Sequence, residues 1–256
     1  MFEEERLNKI AEYVQNRSRA SVLELCSSFH VSESTVRRDL TELENRNLLK
    51  RTHGGAVSLQ SVSFEPTYSE KEDKYRDEKA LIAKKAAEFI KDGDSLLIDS
   101  GTTTLYLSSE LLKFHNLTVV TNSINLVQKL SSMPGIEIIS TGGALRENTM
   151  AFVGPLAESS LNHLHVDKAF IATNGLDAEE GLTTPNIVEA SIKQKMISIA
   201  DQVFILADHS KIGCVSFAKF GDLSDVDACI TSSDISDELK MQFEKKDIKL
   251  YLADSE

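Results

Sequence analysis

The sequence predicts an α/β fold in which a small helical module precedes a larger domain with a mostly parallel sheet. Short helical patterns extend as far as Arg46 and are followed by the glycine pair Gly54–Gly55. Beyond Asp94, short β-branched or leucine-rich runs alternate with helical patterns, which is typical of parallel sheets covered by helices on both faces. The 256 residues provide enough chain for the module and for one sizeable core.

The amino-terminal module has the pattern of a winged helix–turn–helix. An apolar stripe over Leu7–Val14 predicts the first helix, and Ser21–Phe29, which begins with capping-box spacing, predicts the second. Ser32 is a suitable N-cap for a third helix that extends to Arg46. Basic and apolar runs on both sides of Gly54–Gly55 predict a hairpin with a two-residue turn at the glycines.

The outer face of the third helix carries the guanidinium groups of Arg37 and Arg38 among small hydroxyl side chains, with Asp39 towards the flank. Such a helix can enter the major groove, where arginines meet phosphates or guanine edges. Two alternatives remain open: a solvated helix face, and a winged helix that binds another protein. The residues predicted to contact double-stranded operator DNA are Ser32, Ser34, Thr35, Arg37, Arg38, Thr41, Lys50, Arg51 and His53.

The net charge of −12 is distributed unevenly along the chain. Residues 1–60 contain nine Lys or Arg and nine Asp or Glu, so the excess of negative charge lies entirely in the rest of the chain. A neutral module with a local basic face offers few phosphate contacts by itself. We therefore expect a homodimer or higher homo-oligomer, in which linked modules increase the affinity for DNA through effective concentration.

Between the two parts lies a serine-rich stretch that contains Pro66, followed by a charged helical pattern that begins near Ser69 and becomes amphipathic. We predict a winged helix–turn–helix domain over residues 1–58, and an α/β effector domain over residues 79–256. Residues 59–78 are predicted to form a linker and the start of a connecting helix.

The carboxyl ends of the predicted strands carry small and polar residues, which is where ligands bind in open α/β sheets. Asp99–Thr104 directly follows a strand and precedes a helix; its glycine, hydroxyls and free helix N–H groups suit a phosphate. A tight turn with a threonine N-cap is the alternative. Further polar residues that we assign to strand ends are Asn122, Gly142–Gly143 with Arg146, Asp167–Lys168, Asn174–Gly175 and Asp208–Lys211.

The run Ser-Glu-Ser-Thr-Val-Arg-Arg-Asp-Leu-Thr-Glu-Leu-Glu, followed by Leu-Lys-Arg-Thr-His-Gly-Gly-Ala, closely resembles the DeoR family of bacterial sugar regulators. The resemblance extends from Arg6 to about Leu252 and implies an effector domain similar to ribose-5-phosphate isomerase and glucosamine-6-phosphate deaminase. It implies that a phosphorylated sugar binds near the Asp99 loop. The effector-binding residues expected on this basis are Asp99, Ser100, Gly101, Thr102, Thr103, Asn122, Asp167, Lys168, Glu189 and Lys211.

Three functions compete at this point. The first is a transcriptional repressor that a phosphorylated sugar releases from its operator, and the second is a sugar-phosphate isomerase or deaminase with an accessory winged helix. The third is a winged helix that binds protein instead of DNA. Three scattered cysteines, the absence of metal-type spacing and the lack of a long apolar run predict a cytoplasmic protein without a metal, a cofactor or a membrane partner.

Overall fold

The computed structural model describes residues 2–17, 19–46, 48–58, 62, 65–246 and 248–254. The chain divides into two compact units, residues 1–64 and residues 65–256. Part of the predicted linker, residues 59–61, 63 and 64, lies outside the described residues. Residues 65–78, which the sequence assigned to the linker and the start of a connecting helix, belong to the second unit.

The first unit confirms the predicted winged helix–turn–helix. Its elements are helices α1 (Glu3–Arg17), α2 (Val22–Phe29) and α3 (Glu33–Asn45) and strands β1 (Arg19–Ser21), β2 (Lys50–Thr52) and β3 (Gly55–Val57). The strands form one antiparallel sheet in the order β1-β3-β2. Ser21 and Glu24 form the expected capping box, and the Ser32 side chain accepts from the Thr35 N–H. The core comprises Leu7, Ile10, Val14, Leu25, Val36, Leu40, Leu43 and Leu49.

Two details of this unit differ from the sequence predictions. The hairpin turn consists of His53 and Gly54, because Thr52 pairs with Gly55. Gly55 is needed for a different reason: a Cβ atom there would lie 2.0 Å from the carbonyl oxygen of Ala20 on β1. Asp39, expected at the flank of α3, is only 1% exposed and accepts two hydrogen bonds from Arg6, at 2.6 and 3.0 Å.

The second unit contains seven parallel strands in the order β15-β14-β12-β9-β4-β5-β6, which confirms the predicted α/β class. These strands are β4 (Ser95–Ile98), β5 (Leu117–Thr121), β6 (Ile136–Ser140), β9 (Val166–Ala172), β12 (Ala200–Leu206), β14 (Ala228–Ser232) and β15 (Leu250–Ala253). Smaller sheets pair β7 (Ala144–Arg146) with β8 (Ala151–Val153), and β10 (Gly175–Asp177) and β13 (Ala218–Gly221) with β11 (Gly181–Thr184).

Helices cover both faces of the large sheet. The helices of this unit are α4 (Tyr68–Glu72), α5 (Arg76–Ala87), α6 (Thr102–Glu110), α7 (Ile124–Leu130), α8 (Pro155–Leu161), α9 (Ile187–Ser198) and α10 (Asp237–Glu244). Residues of α5, α6 and α7 pack against the face that presents Leu96 and Ile98, whereas residues of α8, α9 and α10 pack against the face that presents Leu97. Alternate side chains of β4 therefore enter two separate cores.

The predicted connecting helix is broken into two helices, α4 and α5. Thr67 and Glu70 form a capping box that begins α4, and Tyr75 then adopts a left-handed conformation with φ 54°. A left-handed residue cannot continue a right-handed helix, so the chain turns before α5 begins at Arg76. None of the helices in the described parts of the chain is both long and apolar enough to cross a membrane.

Candidate functional site

The loop after β4 presents the amino terminus of α6. Gly101 is the N-cap, and it has no side chain with which to bond the first backbone N–H groups of the helix. The Thr104 hydroxyl instead lies 2.6 Å from the Asp99 carbonyl oxygen and 2.8 Å from that of Gly101, and it fixes the loop from inside. Helix N–H groups without an internal partner, together with the helix dipole, favour an anion at this end of α6.

Gly101 is required by the sheet beneath the loop. A Cβ atom at this position would lie 2.2 Å from the Cβ atom of Ala172 at the end of β9. Its φ is in the ordinary negative range, so the constraint is the close approach and not the backbone conformation. The sequence predicts a glycine here because a ligand approaches the backbone closely. The structure adds a second requirement, because strand β9 also approaches the backbone of Gly101 closely.

A cavity opens beside this loop at the carboxyl edge of the large sheet. The residues around it are contributed by the α4–α5 segment, the Asp99 loop, the β7–β8 loop, the end of β9, α9 and the segment after β12. They include Lys71, Lys74, Tyr75, Lys79, Ser100, Gly101, Thr102, Thr103, Thr149, Thr173, Asn174, Glu189, Lys193, Asp208, Ser210 and Lys211. Five of these residues are lysines and two are carboxylates, so the lining is positively charged.

Two of the lysines are held by carboxylates of the site. Lys193 forms a salt bridge with buried Asp99, and its Nζ donates a hydrogen bond of 2.8 Å to the Ala172 carbonyl. Lys211 Nζ lies 3.7 Å from an Asp208 carboxylate oxygen and donates to Ser210 Oγ at 2.8 Å. Since these ammonium groups already have partners, they are oriented before any ligand binds.

Lys71, Lys74 and Lys79 form no salt bridge with any carboxylate of the described chain. Lys79 is 1% exposed and donates to the Lys71 carbonyl oxygen, and its burial lowers the pKa of its ammonium group to about 8. Burial also lowers the pKa of half-buried Lys71. Lys74 is exposed at the rim of the cavity. Desolvated ammonium groups that form no salt bridge would be stabilised by an anionic ligand.

Glu189 contributes a carboxylate to this polar lining. Its Oε1 atom accepts from Thr149 and, at 3.1 Å, from Arg146 Nη1. Its Oε2 atom is only weakly engaged, at 3.5 Å from the Thr184 hydroxyl. Arg146 also forms a bidentate salt bridge with Glu65, one of whose bonds measures 2.6 Å. Glu189 therefore retains an acceptor atom that a ligand hydroxyl could use.

The segment that carries Asp208 and Lys211 is anchored by α5. Glu78 accepts from the His209 backbone N–H at 2.6 Å and from Ser232 Oγ at 2.7 Å, and its second oxygen lies 2.9 Å from His209 Nδ1. Asp234 is near enough to complete a three-ligand cluster with Glu78 and His209. The bonds to His209 and Ser232 account for the Glu78 carboxylate without an ion, and the absence of a metal site stays a prediction.

The predicted DNA-binding residues all lie in α3, at its N-cap or in the wing. Ser32, Ser34, Arg37, Arg38, Arg51 and His53 are exposed, whereas Thr35, Thr41 and Lys50 are half-buried. Arg51 Nη1 donates to Thr41 Oγ1 at 2.7 Å, which connects the wing to α3. The guanidinium groups of Arg37 and Arg38 form only long contacts with Glu33 and Glu3, at 3.5 and 3.7 Å. Exposed cations with such loose partners are available to phosphates.

Both parts of the chain match described domain families. Residues 6–62 match the DeoR-like helix-turn-helix domain, and residues 74–233 match the DeoR C terminal sensor domain. The chain is 41% identical over 250 residues to the uncharacterized HTH-type transcriptional regulator YulB of Bacillus subtilis (strain 168), covering 98% of this chain and 96% of that protein. It is 35% identical over 245 residues to the lactose phosphotransferase system repressor of Staphylococcus aureus, covering 94% and 96%.

The chain belongs to the DeoR family. It is therefore a DNA-binding transcriptional regulator with a sensor domain, as the resemblance in its motifs implied. A solved structure of ribose 5-phosphate isomerase A from Methanocaldococcus jannaschii is similar to 53% of this chain and 54% of that chain, with 18% identity and a TM-score of 0.39.

Within the DeoR-type sensor domain, most residues predicted from sequence to bind the effector lie at or beside the cavity. Those that line it are Ser100, Gly101, Thr102, Thr103, Glu189 and Lys211. Asp99 lies beneath the lining and contacts it through Lys193. Asn122 follows β5 at the same edge of the sheet but is buried outside the lining, where its side-chain nitrogen lies 3.4 Å from the Phe152 carbonyl oxygen.

The prediction for Asp167 and Lys168 is wrong. The pair was predicted to follow a strand, but β9 begins at Val166, so both residues lie at the amino edge of the parallel sheet. Asp167 accepts hydrogen bonds from the Ser95 hydroxyl at 2.6 Å and from the Ser95 backbone N–H at 2.7 Å, and these bonds lower the pKa of its carboxyl group. Lys168 pairs with Asp94 at 2.7 Å. These contacts join the starts of neighbouring strands, at the opposite edge from the cavity.

Sequence reasoning missed Lys71, Lys74, Lys79 and Lys193 in the sensor domain. Lys71 and Lys74 were assigned to the linker and the start of a connecting helix, and Lys79 to the continuation of that charged helical pattern, where lysines ordinarily face water. A usable signal existed for Lys193, which follows Glu189 by one helical turn on α9 and therefore shares its face.

Proposed function

We propose that this protein is a repressor of sugar-metabolism genes that a phosphorylated sugar releases from operator DNA. The observation that carries the proposal is the pairing of two features in one cavity: the uncapped amino terminus of α6, and lysines without a carboxylate partner among the described residues. A phosphate ester carries a charge of about −1.5 to −2 at pH 7, and both features favour such a group over a neutral hydroxyl.

The lining offers groups for both parts of such an effector. The phosphate would contact the N–H groups after Gly101, the Thr102 hydroxyl and the Lys71 ammonium group. The sugar would then extend towards Glu189, whose Oε2 atom is free to accept a hydrogen bond from a hydroxyl. The name of the Staphylococcus aureus relative, a lactose phosphotransferase system repressor, is consistent with a sugar effector of this class.

The DNA partner is supported by the exposed arginines of α3 and by the helix-turn-helix family match. Because the first unit is neutral overall, we propose that at least two copies of the chain bind paired half-sites at helical-turn spacing. Light scattering at micromolar concentration tests this assembly. A monomer that retained full operator affinity would contradict it. We also propose that the protein is located in the cytoplasm.

The alternative function, a sugar-phosphate isomerase or deaminase, requires a free acid or base at the cavity. Asp99 is neutralised by Lys193, and Glu189 accepts from both Arg146 and Thr149. These contacts support ligand recognition over proton transfer, and we propose that the protein is not an enzyme and uses no cofactor. Turnover assays with hexose phosphates test this directly.

The proposal is tested by operator titrations with a panel of glucose 6-phosphate, fructose 6-phosphate, fructose 1-phosphate and glycerol 3-phosphate, each beside its unphosphorylated counterpart. We expect one phosphorylated member to weaken operator binding and to raise the melting temperature of the protein, because a ligand specific for the native state stabilises it. Equal release by a sugar and its phosphate would contradict the phosphate site. Release by none of the phosphates would contradict the proposed effector class.

A pair of matched substitutions locates the site. Thr102→Val removes a hydroxyl from the cavity and should abolish or strongly weaken release while operator affinity stays unchanged. The control is Thr118→Val, at the amino edge of the same sheet, where Thr118 pairs with Ser95. Full release of the Thr102 variant would place the phosphate elsewhere.

A further inference from the structure

We propose that Arg146 and Glu65 form the connection through which an occupied cavity acts on the segment leading to the DNA-binding unit. The inference rests on the proposed function and adds to it the residues that couple effector and operator. Glu65 is the first residue of the second unit, so the chain that precedes it leads directly to the winged helix–turn–helix.

The connection is a continuous chain of short polar contacts. Glu189 lines the cavity, and its Oε1 atom lies 3.1 Å from Arg146 Nη1. The same Nη1 atom lies 2.6 Å from Glu65 Oε1, and Nη2 bonds the second Glu65 oxygen. A single planar guanidinium group therefore joins the cavity wall to the first residue of the unit, with a bidentate bond on the Glu65 side.

The side chains of Arg146, Glu65 and Glu189 are more buried than those of an ordinary surface ion pair. The exposed fractions of the side chains are 21% for Arg146, 11% for Glu65 and 7% for Glu189. The contact with Glu65 raises the pKa of Arg146. Surface pairs rarely fix geometry, because water and ions replace either partner, whereas a buried bidentate pair holds one arrangement. Glu65 is thus fixed against β7, the strand that ends at Arg146.

Glu189 is the point at which a ligand can alter this arrangement. Its Oε1 atom accepts hydrogen bonds from Arg146 and Thr149. Its Oε2 atom has only a 3.5 Å contact with the Thr184 hydroxyl and can therefore accept from a ligand in the cavity. A ligand hydroxyl that donates to Glu189 repositions that carboxylate relative to Arg146. Arg146 then holds Glu65 differently in the free and the occupied protein. A ligand shifts an equilibrium only through such a difference between two states.

The inference is tested with Glu65→Gln, which keeps the shape of the side chain and removes its charge. The probe is the panel member that releases the wild-type protein from its operator. We expect the affinity of that probe for the DNA-free variant to stay within about threefold of wild type, whereas the release factor, typically about 5- to 150-fold for allosteric coupling, falls close to one. A purely structural role would change both quantities together or neither.

The control is Glu147→Gln, which removes an exposed carboxylate next to Arg146 and should leave both quantities unchanged. Arg146→Lys is the second variant: it retains the positive charge, loses the bidentate geometry and should also bind the probe without releasing DNA. A release factor of wild-type size in both Glu65→Gln and Arg146→Lys would overturn the coupling. So would loss of probe binding in both, since these residues would then belong to the effector site. Failure of every panel member on wild type would overturn the proposed function itself, and this inference with it.

Discussion

The two units use positive charge in opposite ways. In the DNA-binding unit the guanidinium groups of Arg37 and Arg38 are exposed and lie 3.5 Å or more from the glutamates beside them. In the sensor unit Lys79 and Lys193 are almost fully buried and are held by a backbone carbonyl or by Asp99. Exposed, loosely paired cations suit a long polyanion whose counterions are released on binding. Buried, oriented cations suit a small ligand of one shape.

The largest expected effect concerns the buried ion pair between Arg6 and Asp39 in the DNA-binding unit. Asp39→Ala leaves the Arg6 guanidinium buried at 8% exposure without its partner, and we expect it to destabilise this unit by about 3–5 kcal/mol. Urea unfolding followed by hydrogen exchange of α1–α3 in the full chain measures the change. The control is Glu12→Ala, an exposed carboxylate on α1. A loss below about 1 kcal/mol would mean that water reaches Arg6.

The next effect tests whether buried charge selects the effector. Lys71→Met removes a half-buried ammonium group that forms no salt bridge with a described carboxylate, while keeping much of its apolar volume. Hydrogen bonds to charged groups contribute about 1.5–3 kcal/mol, so we expect the affinity for the phosphorylated sugar to fall roughly 10- to 150-fold. Isothermal titration provides the measurement, with Lys91→Met, an exposed lysine outside the lining, as the control. An unchanged affinity would exclude Lys71 from the phosphate site.

We expect Arg37→Ala and Arg38→Ala to have a comparable effect on operator binding. If each arginine contacts a base, each substitution should weaken the free energy of operator binding by about 1–3 kcal/mol. A residue that contacts only phosphate would weaken all DNA sequences alike and lower the salt slope by about one unit. Gel shifts at several salt concentrations distinguish the two, with exposed Lys9→Ala on α1 as the control. Wild-type binding by either arginine variant would show that its side chain faces away from DNA.

The smallest expected effect is a dependence of effector affinity on pH. Burial lowers the pKa of Lys79 to about 8, so its ammonium group is protonated below that pH and attracts phosphate there. Affinity should be highest near neutral pH and should fall by at most about tenfold per unit as the pH rises past 8. Lys79→Met should flatten this decline. A profile that stayed level to pH 10 in the wild type would contradict either the lowered pKa of Lys79 or its contact with the ligand.

In the unliganded protein the same shift acts on folding in the opposite direction. The folded state binds fewer protons than the unfolded state between about pH 8 and the ordinary lysine value of 10.5. This group therefore makes the free energy of unfolding increase with pH over that interval. Urea unfolding of wild type and Lys79→Met at two pH values compares the slopes.

The short apolar runs of the sequence coincide with the seven strands of the large sheet. Central strands such as β4 and β14 are continuous apolar runs because both of their faces are buried, whereas the edge strand β6 is only partly buried. The sequence also predicted the recognition helix, whose caps and apolar stripe are local. Asp39 was misplaced because its burial depends on Arg6, which lies 33 residues away. Helical periodicity alone predicts that a charged residue near the edge of an amphipathic helix is exposed to solvent. Its burial can be predicted only when its distant ion-pair partner is known.

The cavity was predicted only in part, and the two failures have different physical causes. Asp167 and Lys168 were assigned to the wrong sheet edge because they were treated as following a strand, whereas they precede the apolar run of β9 and lie near its first residue, Val166. Lys71 and Lys79 were missed because the left-handed turn at Tyr75 separates α4 from α5 and brings lysines from both towards the ligand. That turn breaks an amphipathic pattern that is otherwise continuous, and no glycine or proline marks it.

The contact between Gly101 and Ala172 affects how mutant phenotypes in this protein should be explained. A genetic screen for variants that repress permanently would select replacements of Gly101, and the natural explanation would be loss of a ligand contact. A side chain there would collide with β9 at 2.2 Å and displace the whole Asp99 loop, so repression would become permanent even if no atom of Gly101 ever touched the sugar. A second change, Ala172→Gly, would make room for Gly101→Ala, and restored induction in that double mutant would identify the strand as the cause.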